Sequence, residues 1–437
     1  MILLKRKIGL GIFFGLILII SLFYFFSINT LPSSLSIIKG NESTFNINFP
    51  FSLHIQKSGR GIGLKINGQV LGQKEFRIKE NQLQVKGDKV GSTSLNVRLF
   101  GIIPLRTINV NVLPDVKVYP GGQAIGVLLR SKGVMVVGKS FVEGKDGRKY
   151  YPAVQSGIEV GDTILKINGI EVYDKVKLAS LIQKMAPGGK LTLEIKKKDG
   201  RIKKIPVNPV KNKQGKYMIG LYVDDGVAGV GTLTFFDPKS GEYGALGHVI
   251  TETNSQVKID IRQGKIIEAR ISGINTGKRG LPGEKLGTFF QTKQILGEIR
   301  KNTQYGIYGK LNRLPENPYF NEPIPVLPAS QVQEGQAKIY TVIKGGKIEE
   351  FDVSIDRVYH QSHPGAKGMI IRITDPQLKK ATGGIIQGMS GSPIVQNNKL
   401  VGAITHVFVN DPTRGYGVFA EWMVLQTGLY DKARAVQ

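Results

Sequence analysis

Ser390 lies in Gly388-Met389-Ser390-Gly391-Ser392-Pro393, one central hydroxyl among small residues. Apolar, β-branched runs flank it: Met369-Ile370-Ile371-Arg372-Ile373 and Gly384-Ile385-Ile386 before, Ile394-Val395 and Leu400-Val401-Gly402-Ala403-Ile404 after. Such runs read as buried strands. The glycines let the backbone turn sharply, so that Oγ projects and the N–H groups of Gly388 and Ser390 converge on one point, as an oxyanion hole requires. A serine hydroxyl is a poor nucleophile at neutral pH, and needs a base which is itself oriented by an acid. His248, after Ala245-Leu246-Gly247 at the end of a hairpin pattern, is the candidate base. Asp352, Asp356 and Asp375 lie between the two. Asp375 ends an apolar strand and precedes Pro376, whereas Asp352 and Asp356 share one face of another strand. His360 and His363 form H-x-x-H in a polar stretch without an acidic ligand, so no metal site is expected. The absence of cysteine excludes disulfides, thiol nucleophiles and thiolate metal sites, and no cofactor is expected.

These residues need elements to hold them. A chain of 437 residues with 41% apolar content implies two to four domains. Sixty basic residues against 33 acidic give a net charge of +27, spread along the chain. No zinc-finger, helix-turn-helix or RNA-binding signature accompanies it, so an anionic membrane surface fits better than nucleic acid. Lys5-Arg6-Lys7 precedes an apolar run from Ile8 to Ile28, close to the ~20 residues that span a bilayer as a helix. The run has no small-residue cleavage site, so residues 1–30 read as a cytoplasmic tip and transmembrane signal anchor, with the rest of the chain outside the cytoplasm. Residues 31–115 alternate in short strands, such as Leu95-Asn96-Val97-Arg98-Leu99, and predict a small all-β domain in which His54 is structural. Lys211 to Lys216 is a basic linker, and alternating strands resume beyond it.

Three motifs carry a resemblance. Ala153 to Gly169 spells A-x-x-x-G-I-x-x-G-D-x-I-L-x-I-N-G, which is similar to the PDZ signature and assigns residues 116–210 to such a domain. The resemblance implies a peptide-binding loop at Ala124-Ile125-Gly126-Val127, whose x-Φ-G-Φ pattern would hold a peptide carboxylate while the ligand adds a strand. G-x-S-G-[SG]-P resembles the nucleophile loop of chymotrypsin-like serine peptidases, which implies a double β-barrel over residues 211–437. In that fold class Thr405, His406 and Val407 line the substrate pocket, although His406 could equally be a half-buried structural residue. Together with G-A-L-G-H-V-I and T-H-V-F-V-N-D-P-T-x-G-Y-G, the whole resembles the stage IV sporulation protein B family of PDZ-containing serine peptidases. The resemblance implies the triad His248, Asp375 and Ser390. It also implies self-cleavage, PDZ control, and action in the space between forespore and mother cell. The substrate would be a membrane-bound regulator of an intramembrane protease that activates a late sigma factor. The competing reading is a non-catalytic PDZ scaffold. Two features depart from ordinary chymotrypsin-like enzymes. Asp375 precedes the serine by only fifteen residues, and Met389 replaces the aspartate that pairs with a freed N-terminal amine.

Overall fold

The computed structural model describes residues 11, 13–22, 25, 31–46, 53–58, 62–70, 76–78, 82–288, 295–361 and 363–435. Strands dominate, as the period-2 patterning dictates. Residues 13–22 are helical and expose Phe13, Phe14, Leu18 and Leu22. Among the described residues no helix is long and apolar enough to cross a membrane. The rest of the expected 8–28 span lies outside the described residues.

The first domain is a sandwich. A five-stranded and a four-stranded sheet enclose Leu35, Ile37, Leu64, Val85, Leu95 and Val110. It docks on the body of the protein through Glu421, which accepts from Ser36 Oγ at 2.8 Å and from the Ala329 N–H at 2.7 Å. Burial raises that carboxyl above its ordinary range.

Two closed barrels follow. In the first, strand Ala124–Lys139 pairs with Ile261–Glu268, then come Ile295–Thr303, Gly306–Leu311, Glu242–Ala245 and Leu221–Phe236, which pairs back with Ala124–Lys139. The second closes through Gly335–Val342, Ile348–Val358, Met369–Ile373, Asp411–Phe419, Lys399–Phe408 and Pro393–Gln396.

The unit that carries the expected PDZ string does not precede the first barrel but is inserted into it. Ala124–Lys139 pairs antiparallel with residues 221–232 of the strand Leu221–Phe236 as one long ribbon, with register shifts between Arg130 and Met135 and between Val136 and Gly138. Its near half, from Ala124 to Arg130 and from Gly226 to Phe236, belongs to the first barrel. Its far half belongs to the PDZ sheet, where Val134 and Met135 pair with Thr163–Ile167 and the next strands are Leu191–Lys196 and Ile202–Val207. The expected boundaries at 116–210 and 211–437 are therefore corrected, because the barrel's first strand comes before the PDZ core.

The expected peptide loop at Ala124-Ile125-Gly126-Val127 is corrected for the same reason. Ile125, Gly126 and Val127 pair with Gly231, Val230 and Gly229 on one edge and with Glu268, Ile267 and Ile266 on the other. Ala124, Ile125 and Val127 are buried. A strand hydrogen-bonded on both edges has no N–H groups left for a peptide carboxylate.

Candidate active site

The nucleophile loop lies against the first barrel and is pinned by it. Thr232 Oγ1 donates to the Gly388 carbonyl and Thr234 Oγ1 to the Gly391 carbonyl, each at 2.8 Å, while the Thr232 N–H donates to the Ser390 carbonyl at 3.0 Å. Gly391 has φ +93°, and a Cβ there would stand 2.1 Å from the Thr232 carbonyl oxygen, so no side chain fits. The turn is closed by the Ser392 N–H donating to the Met389 carbonyl at 2.9 Å.

His248 is aimed by a second tight turn. Leu246 and Gly247 both adopt left-handed φ, +67° and +73°. For leucine that conformation costs about 1–3 kcal/mol, a strain characteristic of functional sites. A Cβ on Gly247 would approach Thr405 Cγ2 to 2.8 Å. His248 Nδ1 is 2.8 Å from the Val249 carbonyl oxygen. A carbonyl only accepts, so Nδ1 carries the proton and Nε2 keeps its lone pair, the tautomer a general base needs. Burial holds the His248 pKa below its ordinary value, against the opposing Val249 bond.

Ser390, His248 and His406 share one cleft of about 530 Å³, with Gly388 and Val227 to Val230 in its walls. The Ser390 hydroxyl donates to the Thr405 carbonyl at 2.7 Å, not to His248. The His406 ring stands 5.1 Å from that of His248, centroid to centroid. Its pKa is lowered by desolvation, by His248 and by Lys367, although much of the residue is exposed. Of the expected pocket residues, His406 alone joins this cleft, while Thr405 contributes the carbonyl that holds the serine.

Asp375 stands apart. Its carboxylate accepts from the Leu378 N–H at 2.9 Å and caps the helix Pro376–Thr382, and its own N–H donates to the Asp352 carbonyl. Asp356 is bound to Arg372 at 2.9 Å and to Arg414 at 3.3 Å. Among the described residues no carboxylate bonds His248, so the expected triad is assembled here as a serine and a histidine, with a backbone carbonyl in the orienting place. Asp375-Pro376-Gln377-Leu378 is also a helix-start pattern, aspartate at the cap and proline in the first turn, and that signal was available in the sequence.

The x-Φ-G-Φ pattern recurs at Met218-Ile219-Gly220-Leu221, and here it opens an edge. Among the described residues Leu221 to Asp224 pair on one side only, with Met135 to Lys139. The helix Lys175–Met185 lies along the other side. Gln183 exchanges two bonds with the Tyr217 backbone, at 2.6 and 3.0 Å, and the Lys175 N–H donates to Asp225 Oδ2 at 3.2 Å. Gly220 has φ +75°, and a Cβ there would stand 2.5 Å from the Ser140 carbonyl oxygen. Among the described residues this leaves a strand edge beside a helix unpaired, the kind of edge that an extended peptide can join by strand addition.

Residues 215–424 match the family model described as SpoIVB peptidase S55, and residues 129–208 match that of a PDZ domain. Among solved structures the chain is similar to the inactive form of the Rv3671c protease, at 14% identity over 46% of this chain and 83% of that one, with a TM-score of 0.26. It is likewise similar to the active form of the Rv3671c protease from M. tuberculosis, at 14% identity over 47% and 74%, with a TM-score of 0.25. No curated protein matches the chain.

Proposed function

We propose that this chain, a serine peptidase with the SpoIVB S55 domain and a PDZ domain, is a membrane-anchored endopeptidase of endospore formation whose PDZ groove governs its active site. Ser390 is the nucleophile and His248 the base. In the catalytic step Ser390 Oγ leaves the Thr405 carbonyl and turns to His248 Nε2, which takes its proton as Oγ attacks the scissile carbonyl. The oxyanion falls to the N–H groups of Gly388 and Ser390, and His248 returns the proton to the leaving amine. The single observation that carries PDZ control is the ribbon strand Leu221–Phe236. Its first residues form the open groove edge, Val227 to Val230 wall the cleft, and Thr232 and Thr234 hold the nucleophile loop. A peptide bound at one end therefore bears on the loop at the other.

Anchoring follows from the basic residues before an apolar segment whose helical residues expose Phe13, Phe14 and Leu18. The substrate is a membrane-bound regulator of an intramembrane protease, met between forespore and mother cell, with the chain itself as a second substrate and late sigma-factor activation as the outcome. The scaffold reading draws on the Ser390 bond to Thr405 and on the fact that, among the described residues, no carboxylate bonds His248. A fluorophosphonate probe separates the two. Labelling that disappears in Ser390→Ala and in His248→Ala supports the enzyme, and an inert native protein supports the scaffold. Protease accessibility in whole cells reads the side of the membrane.

A further inference from the structure

Lys285 lies beneath the nucleophile loop with its side chain sealed from solvent, only 5% exposed. Its stem runs along Gly388, where a Cβ would meet three of the lysine's carbons at 3.1 to 3.2 Å, so the missing side chain makes room for it. Nζ donates to Thr341 Oγ1 at 2.7 Å. Thr341 Oγ1 is 3.0 Å from Ser392 Oγ, which donates to the Met389 carbonyl at 2.7 Å. Thr341, Ser392 and Met389 are completely buried. The Lys285 backbone N–H also donates to the Gln387 carbonyl, at 2.9 Å.

Peptide units are planar and trans, so a carbonyl held inward turns the N–H of the same unit outward. Lys285 holds two such carbonyls, that of Gln387 directly and that of Met389 through two hydroxyls. The N–H groups on their far sides belong to Gly388 and Ser390. We propose that Lys285 is the positioning residue of the oxyanion hole, an internal ammonium that supplies from the chain's own interior the support which a freed N-terminus gives in enzymes with aspartate before the serine. The inference rests on the peptidase reading above.

Among the described residues the charge has no partner to justify it otherwise. On Gly335–Val342 the titratable groups are Lys338 and Tyr340, both bonded to Glu350. Glu349 lies across from Thr341. On the lysine's own strand Glu284 accepts from Asn275, and the paired strand carries Arg270. The loop from Gln387 to Ser392 has no titratable side chain, and among the described residues no carboxylate forms an ion pair with Lys285. Burial alone lowers its pKa from 10.5 to about 7. The unfolded chain thus holds more protons between those values, so this group makes stability climb from pH 7 to 10.5 and weighs fully against folding below 7.

Two measurements test the assignment. The first is the rate of fluorophosphonate labelling at Ser390, split into its maximal rate and its half-saturating concentration. Lys285→Met should lower the maximal rate about 10²-fold, the loss that small misplacements of catalytic groups produce, with half-saturation unchanged. Ser392→Ala, which cuts the hydroxyl chain while leaving the lysine in place, should do the same and keeps the test open if Lys285→Met does not fold. The second is the melting temperature against pH. Lys285→Met should melt higher at pH 7 than the native protein and lose the climb toward pH 10.5. Native labelling rates in the folded variants, or a Lys285→Met protein whose stability still climbs from pH 7 to pH 10.5, would overturn the proposal. Labelling indifferent to Ser390→Ala would remove the peptidase reading itself, which is a different failure.

Discussion

The pattern Φ-G-Φ occurs at opposite ends of one ribbon, as Ile125-Gly126-Val127 and as Ile219-Gly220-Leu221, with opposite outcomes. The first is paired on both edges and its apolar side chains fill the barrel core with Leu233, Phe236 and Ile266. Among the described residues the second keeps one edge unpaired, with a left-handed glycine and a helix alongside. Three residues set a local shape, but neighbours distant in the chain decide whether that shape becomes a wall or an opening.

The largest effect that distinguishes them is on stability. Ile125→Ala removes a completely buried side chain and should cost about 2–5 kcal/mol in chemical denaturation. Leu221→Ala, only partly buried, should cost about 1 kcal/mol or less. Equal losses would mean that the second segment is as much a core strand as the first. Next comes binding. Gly220→Val forces a branched residue into φ +75° beside Ser140 and should weaken the tightest member of a C-terminal peptide library about tenfold, whereas Gly126→Ala should leave that affinity unchanged. The reverse order would return the groove to the first segment.

Asp375 poses the same problem of one residue type with two possible uses. Asp375→Ala should lose about 1 kcal/mol of stability through the missing cap, and Asp375→Asn, an equally good cap, should lose almost none. The labelling rate of Asp375→Asn then tells the roles apart. A native rate leaves the residue as a cap, and a fall of about 10⁴-fold places its carboxylate at His248 in the working enzyme. The smallest effect concerns pH. Because burial lowers the His248 pKa, the neutral base persists below pH 6.5, and labelling should fail only as acid carries the site through that depressed value. A midpoint above 6.5 would imply a carboxylate partner at the ring.

The sequence made the serine loop, the histidine turn and the PDZ string legible because each is a run of adjacent residues whose types are dictated by local geometry. The two barrels were legible only as a class. Closure of the first depends on Ala124 to Arg130 meeting Gly226 to Thr232 across the whole PDZ insertion, a pairing that alternation cannot specify. Lys285 was hidden for another reason. It belongs to no motif, and nothing in a single basic residue announces that it will be sealed under the loop of Ser390.

The insertion also has a bearing on how the molecule assembles. The near ends of the ribbon strands are separated by the entire PDZ, and bringing such ends together from a disordered chain is slow, because closure entropy is lost before any barrel contact rewards it. The PDZ has its own core of Val134, Ile164, Leu178, Leu193 and Ile195, so it can form first. Once folded it delivers both ribbon strands side by side, much as a tight turn does for a hairpin. On this view a damaged PDZ leaves an unfinished barrel as well as an unregulated one, and its loss should appear as a defect in maturation before it appears as a defect in cleavage.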